Sequence, residues 1–272
     1  MFFYDTLGAQ KLDAYQQIGP MEQPVYAVSG SGPRKLVVLS GRKGALPEGQ
    51  GMNTYGELCK LSFRLEQEQP NRPLLYGEAL LDDGNSRQTN LALLTALCQI
   101  RIQSVSCDFS GHPYAASPFR NNRLYILYAG TESRPLGPGD GYPVSWMNTG
   151  RLDSLAVAAL PYPEMLMQAG AGAIGQERRY LLRDFYCYAN PSREASAGRP
   201  VTHLVLEGDI GETHCYYPIP LPGMQSATRY VLDLTLLRMG SPDPDIPVES
   251  GTYVLNGQVL PWEEADAATV LF

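Results

Sequence analysis

The chain has 272 residues, of which 44% are hydrophobic and 18% are charged, and its 21 basic and 28 acidic residues give a net charge of −7. This composition is typical of a globular protein and argues against a disordered tail or a coiled coil. No apolar run approaches the roughly 18 residues that a membrane-spanning helix needs, and the lack of a basic stripe argues against a general nucleic-acid binder. The 17 tyrosines, 22 prolines and 27 glycines favour short strands joined by turns.

The chain opens with strand-like aromatic residues at positions 1–5 (MFFYD). These residues show neither the basic region nor the apolar core of a signal peptide. Two interpretations stay open at this point. The protein is either cytoplasmic, or its chain starts inside a longer precursor.

Apolar residues that alternate with polar ones predict strands along most of the chain. The clearest amphipathic strand covers residues 230–237, and residues 153–160, which Pro161 ends, read as a short helix. Residues 90–97 allow either a helical turn or the start of a strand that runs on to Val105, and we favour the strand. Regular strands separated by turn signals favour sandwiches over βαβ units. We therefore predict an all-β fold, mainly β with one or two short helices. The other predicted strands lie at 36–39, 60–65, 91–105, 124–128, 183–188, 202–206 and 216–219.

A stretch rich in glycine and proline at 130–142 is the candidate domain boundary. The balance of charge changes at the same place, from a net of +1 over residues 1–130 to a net of −8 over residues 131–272. We therefore predict an N-terminal domain at 1–130 and a C-terminal domain at 131–272.

No motif in the chain predicts catalysis. Residues 170–175 (GAGAIG) fit the spacing of a dinucleotide-binding loop, but no βαβ unit surrounds them, so a loop or a tight bend is the better interpretation. The five cysteines lack zinc-site spacing and are expected to be mostly buried thiols. His112 and His203 share no motif with a nucleophile. Trp146 and Trp262 could stack on sugars, but a lone tryptophan is usually a core anchor.

One polar cluster could hold a metal ion in principle. Glu207, Asp209, Glu212 and His214 lie close together in the sequence. The glycines beside them favour a solvated hairpin tip instead. We therefore predict no catalytic residue, no cofactor and no metal site, and a protein that is not an enzyme.

The end of the chain carries a different signal. Residues 251–261 read as a strand with an Asn256-Gly257 turn inside it, and the apolar residues 269–272 (TVLF) follow an acidic break. An apolar strand at this position needs a partner, either within its own sheet or in another chain.

Taken in order, several segments of the chain resemble the fimbrillin superfamily of Bacteroidales-type surface fimbriae. The N-terminal residues 2–8 (FFYDTLG) look like the first strand and turn of its minor, anchor-like subunits. The remaining segments that carry the resemblance are 75–77 (LYG), 91–105, 185–191 (FYCYANP), 202–208 (THLVLEG), 216–219 (YYPI), 230–236 (YVLDLTL), 238–241 (RMGS), 243–245 (DPD) and 259–262 (VLPW).

The resemblance implies two β-sandwich-like (transthyretin-like) domains in tandem and export to the outer membrane as a lipoprotein. It also implies assembly into fimbriae by strand exchange, in which the C-terminal strands of one subunit fill a groove in the next, often after a protease removes an N-terminal strand. The expected partners are other fimbrial subunits, and host or bacterial surface proteins or glycans. The chain departs from the family in lacking a signal and a lipobox cysteine, so we expect a missing upstream segment that carries the lipid anchor and part or all of the first strand.

Three hypotheses follow. The first is a structural subunit of a cell-surface fimbria, minor, anchor or tip, that supports adhesion. Its donor or closing strands would contain Val259, Leu260, Trp262, Val270 and Phe272. The alternative is that these residues pair within their own chain and close its own sandwich.

The second hypothesis is a carbohydrate-binding surface lipoprotein that does not polymerise. It would need exposed aromatic side chains in a row, for which Tyr186, Tyr188, Tyr216 and Tyr217 are candidates. The third is a hydrolase that uses the cluster between Glu207 and His214.

Overall fold

The computed structural model describes residues 1–17, 32–41, 51–81, 91–137, 139, 141–196 and 198–246. Of these residues 47% lie in strands and 7% in helices, which confirms the predicted mainly β fold. No helix in this part of the chain has the length and apolar character needed to cross a membrane.

The chain divides into two compact units. The first contains Met1–Ala96 and Arg134–Asp140, and the second contains Leu97–Ser133 and the chain from Gly141 onward. This division differs from the predicted one at residues 130 and 131. The reason is that the long strand starting at Leu97 pairs with strands from residues 179–188 and 229–236, so it belongs with the second half of the chain.

The first unit is built on one antiparallel sheet. The strands of this sheet are β1 (Phe2–Asp5), β2 (Leu12–Tyr15), β3 (Arg34–Ser40), β5 (Leu75–Leu81) and β6 (Leu94–Thr95). The two-residue strand β4 (Phe63–Arg64) lies outside the sheet, and the helix of the unit is α1 (Tyr55–Leu58). The sheet order is β2-β1-β3-β5-β6. A single 3-10 turn covers Leu65–Gln67.

Helix α1 begins at a capping box. The Thr54 hydroxyl accepts a hydrogen bond from the Glu57 backbone N–H, and the Glu57 carboxylate accepts one from the Thr54 N–H. This cap fixes the helix so that Tyr55 and Leu58 are buried against the sheet.

The second unit contains nine strands and one short helix among the described residues. The strands are β7 (Leu97–Cys107), β8 (Phe119–Leu127), β9 (Ala129–Ser133), β10 (Ser145–Met147), β11 (Met167–Ala169), β12 (Arg179–Tyr188), β13 (Thr202–Ile210), β14 (Thr213–Leu221) and β15 (Arg229–Leu236). Helix α2 covers Ser154–Ala158, with Asp153 as its cap, which confirms the helix predicted there. A 3-10 turn covers Pro163–Met165.

These strands form two sheets, in the orders β10-β9-β12-β7-β15 and β11-β8-β13-β14. The β7–β15 pair is parallel and the other described pairs are antiparallel. Buried apolar side chains come from both sheets, among them Ile100, Phe185 and Leu232 from the first and Ile126 and Leu204 from the second. The layout is consistent with a β-sandwich.

Candidate functional site

Strand β1 occupies an interior position in the sheet of the first unit. Phe2, Phe3 and Tyr4 pair with β2 on one side, and the same residues together with Asp5 pair with β3 on the other. Both sets of backbone hydrogen-bonding groups are therefore used. We call the space between β2 and β3 that β1 fills the β1 slot.

The side chains of β1 are buried on both faces of this sheet. Phe2 and Tyr4 point into a cluster with Val37, Tyr55 and Leu58. Phe3 lies on the opposite face, because successive strand residues alternate, and it is only 3% exposed. Burial of an aromatic side chain contributes roughly 1.5–3 kcal/mol, so this four-residue strand is a large part of the core of the unit.

Aromatic contacts and one hydrogen bond fix the geometry of the slot. The ring of Phe2 lies 5.0 Å from that of Tyr15, and the ring of Tyr4 meets that of Tyr55 edge-on at 5.9 Å. The Tyr4 hydroxyl donates to the Met52 carbonyl oxygen at 3.1 Å. Burial raises the pKa of Tyr4, so the phenol stays protonated and able to donate.

A polar group beside the slot holds Tyr55 in place. Its hydroxyl lies 2.9 and 2.8 Å from the two Glu78 carboxylate oxygens. The Lys35 ammonium lies 3.8 Å from the centre of the Tyr55 ring and 3.7 Å from Glu78. Burial, and then the hydrogen bond to Glu78, raise the pKa of Tyr55. Tyr55 is therefore held by Glu78 and Lys35, which lie outside β1, in addition to its contact with Tyr4.

A short exposed turn joins β1 to β2. Gly8 and Gln10 both have positive φ, and Leu7 is 77% exposed. At the other end, the Met1 amino group donates to the Gln16 carbonyl oxygen at 2.7 Å. Thus β1 is held by the ladder and by its side chains, while its covalent link runs through a solvent-exposed turn.

Strand β15 is the last strand of its sheet within the part of the chain that the structure describes. Tyr230, Leu232, Leu234 and Leu236 are buried, as the alternation in the sequence predicts. One edge of β15 pairs with β7. The other edge pairs with no strand among the residues that the structure describes.

The donor or closing residues predicted from the sequence, Val259, Leu260, Trp262, Val270 and Phe272, lie outside the described residues. Sequence reasoning found β1 as a strand but gave it no partner. The signal that could have located the slot is the run of three apolar residues at 2–4, since only a strand covered on both faces needs consecutive apolar residues.

The polar cluster between Glu207 and His214 is the tip of a hairpin, as predicted, with β13 and β14 paired from Thr202–Leu221 to Ile210–Thr213. Glu207 is paired with Arg123 at 2.7 Å and faces His214 at 3.3 Å. His214 also lies 2.6 Å from Asp209.

These contacts leave few free carboxylate or imidazole groups to bind a metal ion. The hydrogen bond from Asn121, and next that from His214, lower the pKa of Asp209, so its charge is used within the cluster. Glu212 is exposed at the turn. No group of three His, Cys, Asp or Glu side chains within the described ranges is arranged to hold a metal ion. The arrangement is a polar network, with the Arg123–Glu207 ion pair at its centre, that joins β13, β14 and β8, and it gives no support to the hydrolase hypothesis.

The proposed row of exposed tyrosines is wrong. Tyr188 is 0% exposed and Tyr217 is 8% exposed, so neither can stack on a sugar. The four tyrosines also belong to different sheets, with Tyr186 and Tyr188 on β12 and Tyr216 and Tyr217 on β14. Tyr186 and Tyr216 are only partly exposed, so the four tyrosines do not form an exposed row.

The glycine-rich segment, the cysteines and Trp146 lie in ordinary structural positions. The 170–175 segment is a connection from β11 towards β12, with no helix after it, as expected. Four of the five cysteines are buried and Cys59 is half-buried. Burial raises the pKa of Cys187 to about 12, which keeps this thiol protonated and unreactive. Trp146 is half-buried on β10.

Comparisons with known proteins give a fold but no sequence relative. No protein-family model matches the chain, and no curated protein matches it in sequence. A candidate cell adhesion protein from Parabacteroides distasonis ATCC 8503 is similar in structure, with a TM-score of 0.65 and 12% identity over 91% of this chain and 81% of that one. The chain shares the fold of this protein.

A second solved structure leads to the same fold. A fimbrilin from Porphyromonas gingivalis W83 has a TM-score of 0.54 and 14% identity over 89% of this chain and 79% of its own. A second candidate cell adhesion protein from Parabacteroides distasonis has a TM-score of 0.53 and 14% identity over 89% of this chain and 83% of its own. At these identities the likeness concerns the fold.

Proposed function

We propose that this chain is a subunit of a cell-surface fimbria that takes part in adhesion, and that it is a minor subunit, at the tip or the anchor. The shared fold with a fimbrilin and with candidate cell adhesion proteins supports this proposal. The resemblance in the sequence adds export as an outer-membrane lipoprotein, with other fimbrial subunits as partners. The role is structural, not enzymatic.

We further propose that the subunits join by β-strand exchange at the β1 slot. The observation that carries this step is the position of β1, a four-residue N-terminal strand that is paired on both edges and buried on both faces. Removal of such a strand leaves two unpaired edges and an apolar groove. An extended segment from a neighbour satisfies both at once.

The C-terminal sequence has the character that this slot requires. Because β1 buries three consecutive side chains, a replacement strand needs apolar residues on both faces. Val270, Leu271 and Phe272 are three consecutive apolar residues, and Val259 and Leu260 precede Trp262 in a second apolar segment. We propose that Val259, Leu260, Trp262, Val270 and Phe272 belong to the donated segment.

A strand-replacement experiment tests this mechanism. A variant that lacks residues 1–7 is refolded with a synthetic peptide of residues 1–8, or with a peptide of residues 251–272. We expect both peptides to co-elute with the variant in size-exclusion chromatography and to protect the β3 amides from hydrogen exchange. The matched control is the 251–272 peptide that carries Val270→Asp and Phe272→Asp, which should not bind because a buried unpaired carboxylate is costly.

The peptide of residues 1–8 makes the result decisive. If that peptide restores protection and the 251–272 peptide does not, the β1 slot can accept a strand but the C-terminal segment is not its donor. If neither peptide binds, the slot does not accept a strand in trans and the exchange mechanism is wrong for this unit.

A further inference from the structure

A buried histidine faces the loop that leads into the C-terminal segment. His203 lies on β13 and is 9% exposed. Its Nδ1 atom has no hydrogen-bond partner in the described part of the chain. The nearest charged group is Asp245, whose Oδ1 atom lies 3.9 Å from Nδ1, too far for a hydrogen bond.

Asp245 belongs to a loop that is held against the sheet at two points. We call residues 241–246 the exit loop, because residues 247–272 follow it. Ser241 pairs with Tyr216 of β14 through two backbone hydrogen bonds of 2.8 and 2.7 Å. Asp245 accepts a 2.6 Å hydrogen bond from the Tyr128 hydroxyl.

Among the described residues, no charged group forms a hydrogen bond with His203 Nδ1, and Asp245 contacts it only at 3.9 Å. The edge of the Tyr128 ring meets the imidazole at 5.9 Å. The strand neighbours of His203 in the sheet are Leu127 and Pro220, which carry no charge. Within the described ranges Asp245 is the one carboxylate in an ion-pair contact with the ring, and its second oxygen is already engaged by Tyr128. A proton on His203 would therefore place a charge in a buried site without a hydrogen-bonding counterion.

We propose that His203 is an acid-sensitive latch on the exit loop: protonation of the buried imidazole favours release of residues 241–246 from the sheet. Release lets water reach the ring, and it frees the base of the segment that follows. The use of this latch to present residues 247–272 to another subunit rests on the proposed function. The latch itself does not.

The shift in the pKa of His203 indicates that protonation weakens docking of the exit loop and does not strengthen it. Burial lowers the pKa of His203 below its ordinary value of 6.5, and this effect exceeds the opposing attraction of Asp245. A histidine with a lowered pKa in the docked state binds its proton more weakly there than in an open state. The contribution of His203 to docking of the loop is therefore fully present above about pH 6.5, and it is lost as the pH falls below that value.

Hydrogen exchange on the full chain tests the latch. Exchange of peptides that cover residues 238–246 is measured at pH 7.5 and pH 5.5 and corrected for the intrinsic pH dependence of exchange. We expect the corrected exchange to be about threefold to tenfold faster at pH 5.5, where tenfold corresponds to a difference of one pKa unit. In His203→Phe and His203→Gln the ratio between the two pH values should fall below about twofold, because neither side chain can take a proton.

Two further variants identify the group responsible. Asp245→Asn should keep or increase the acid response, because it removes the attraction that opposes release. His214→Gln, which changes the histidine next to Tyr216, should leave the response unchanged.

Three results would overturn the latch. They are slower exchange at pH 5.5, an unchanged response in both His203 variants, and loss of the response in His214→Gln. None of them bears on strand exchange at the β1 slot, and failure of the peptide experiment would leave the latch in place.

Discussion

A single close contact decides the conformation of the segment at residues 170–175. A Cβ atom at Gly170 would lie 1.7 Å from the backbone oxygen of Asn122. The Asn122 side chain also accepts from the Ala171 N–H at 2.8 Å and donates to the Gly172 oxygen at 2.6 Å. Gly170 is therefore required by close approach of two backbones, and Asn122 holds the turn that follows.

Two glycine substitutions in the same loop should differ sharply. Gly170→Ala forces the backbones apart, and we expect it to lower the free energy of unfolding by roughly 3 kcal/mol or more. Gly175→Ala is the matched control, since a Cβ there meets nothing within 4 Å, and it should change stability by less than about 0.5 kcal/mol. Urea unfolding measures both values. Equal effects would contradict the close contact as the cause.

The sequence identified this loop but could not distinguish its glycines. The repeated Gly-Ala pattern at 170–175 predicts a bend, and the surroundings exclude a dinucleotide site. Which glycine is crowded depends on Asn122, nearly fifty residues away in the chain. Contacts of that kind leave no local pattern in a single sequence.

The strands were located best where apolar and polar residues alternate in the sequence. Strand β15 buries its predicted apolar positions, although Val231 and Asp233 between them are buried as well, and the β13–β14 hairpin lies where Gly208 and Gly211 indicated. Strand β7 is different, because Leu232 pairs with Ile102 and Asp233 with Ser104, so Gln103 is an extra residue on β7. Val105 and Cys107 are buried after this bulge, although the alternation of Cys98, Ile100 and Ile102 assigns odd positions to the other face.

Because of this bulge, we expect the chain to tolerate deletion of one residue of β7. A one-residue deletion normally moves all the following side chains to the opposite face of the sheet. Deletion of Gln103 removes the extra residue, so Ile102, Ser104 and Val105 keep their faces against β15. We expect this variant to remain soluble and folded, with a lower urea midpoint because β12 retains its own irregularity opposite this point.

Deletion of Gln99 is the control for that experiment. It lies before the bulge on the same strand, and its loss would turn Ile100 and Ile102 out of the core. We expect the variant to be insoluble, or to lack a cooperative unfolding transition in urea. A folded Gln99 deletion, or an unfolded Gln103 deletion, would show that the register of β7 is not set in this way.

At the scale of the whole molecule, the chain passes between the two units more than once. It enters the second unit at Leu97, returns to the first for Arg134–Asp140 and leaves again at Gly141. The glycine-rich segment that suggested a boundary is therefore part of this return. Composition and charge indicated that two parts exist, but strand pairing decides which residues belong to each, and pairing partners over long sequence separations are not visible in composition.

The C-terminal segment contributes to the stability of its own chain only if it closes its own sandwich, and not if it is donated to a neighbour. If residues 251–272 are donated to a neighbouring subunit, the chain does not need them to fold. Deletion of residues 251–272 should then leave the circular dichroism spectrum and the urea midpoint close to those of the full chain. It should also abolish concentration-dependent assembly in analytical ultracentrifugation, since no donor strand remains.

A full-length variant with Val270→Asp and Phe272→Asp provides the comparison at equal length. It should resemble the deletion in both respects, because charged side chains cannot enter an apolar slot. If the segment instead closes its own sandwich, the deletion exposes the core that it covers, and insoluble protein is the expected result. A donated segment contributes nothing to the stability of the subunit that carries it. An insoluble deletion variant together with a destabilised double variant would therefore show that the segment belongs to the core of its own chain. The residues concerned are Val259, Leu260, Trp262, Val270 and Phe272.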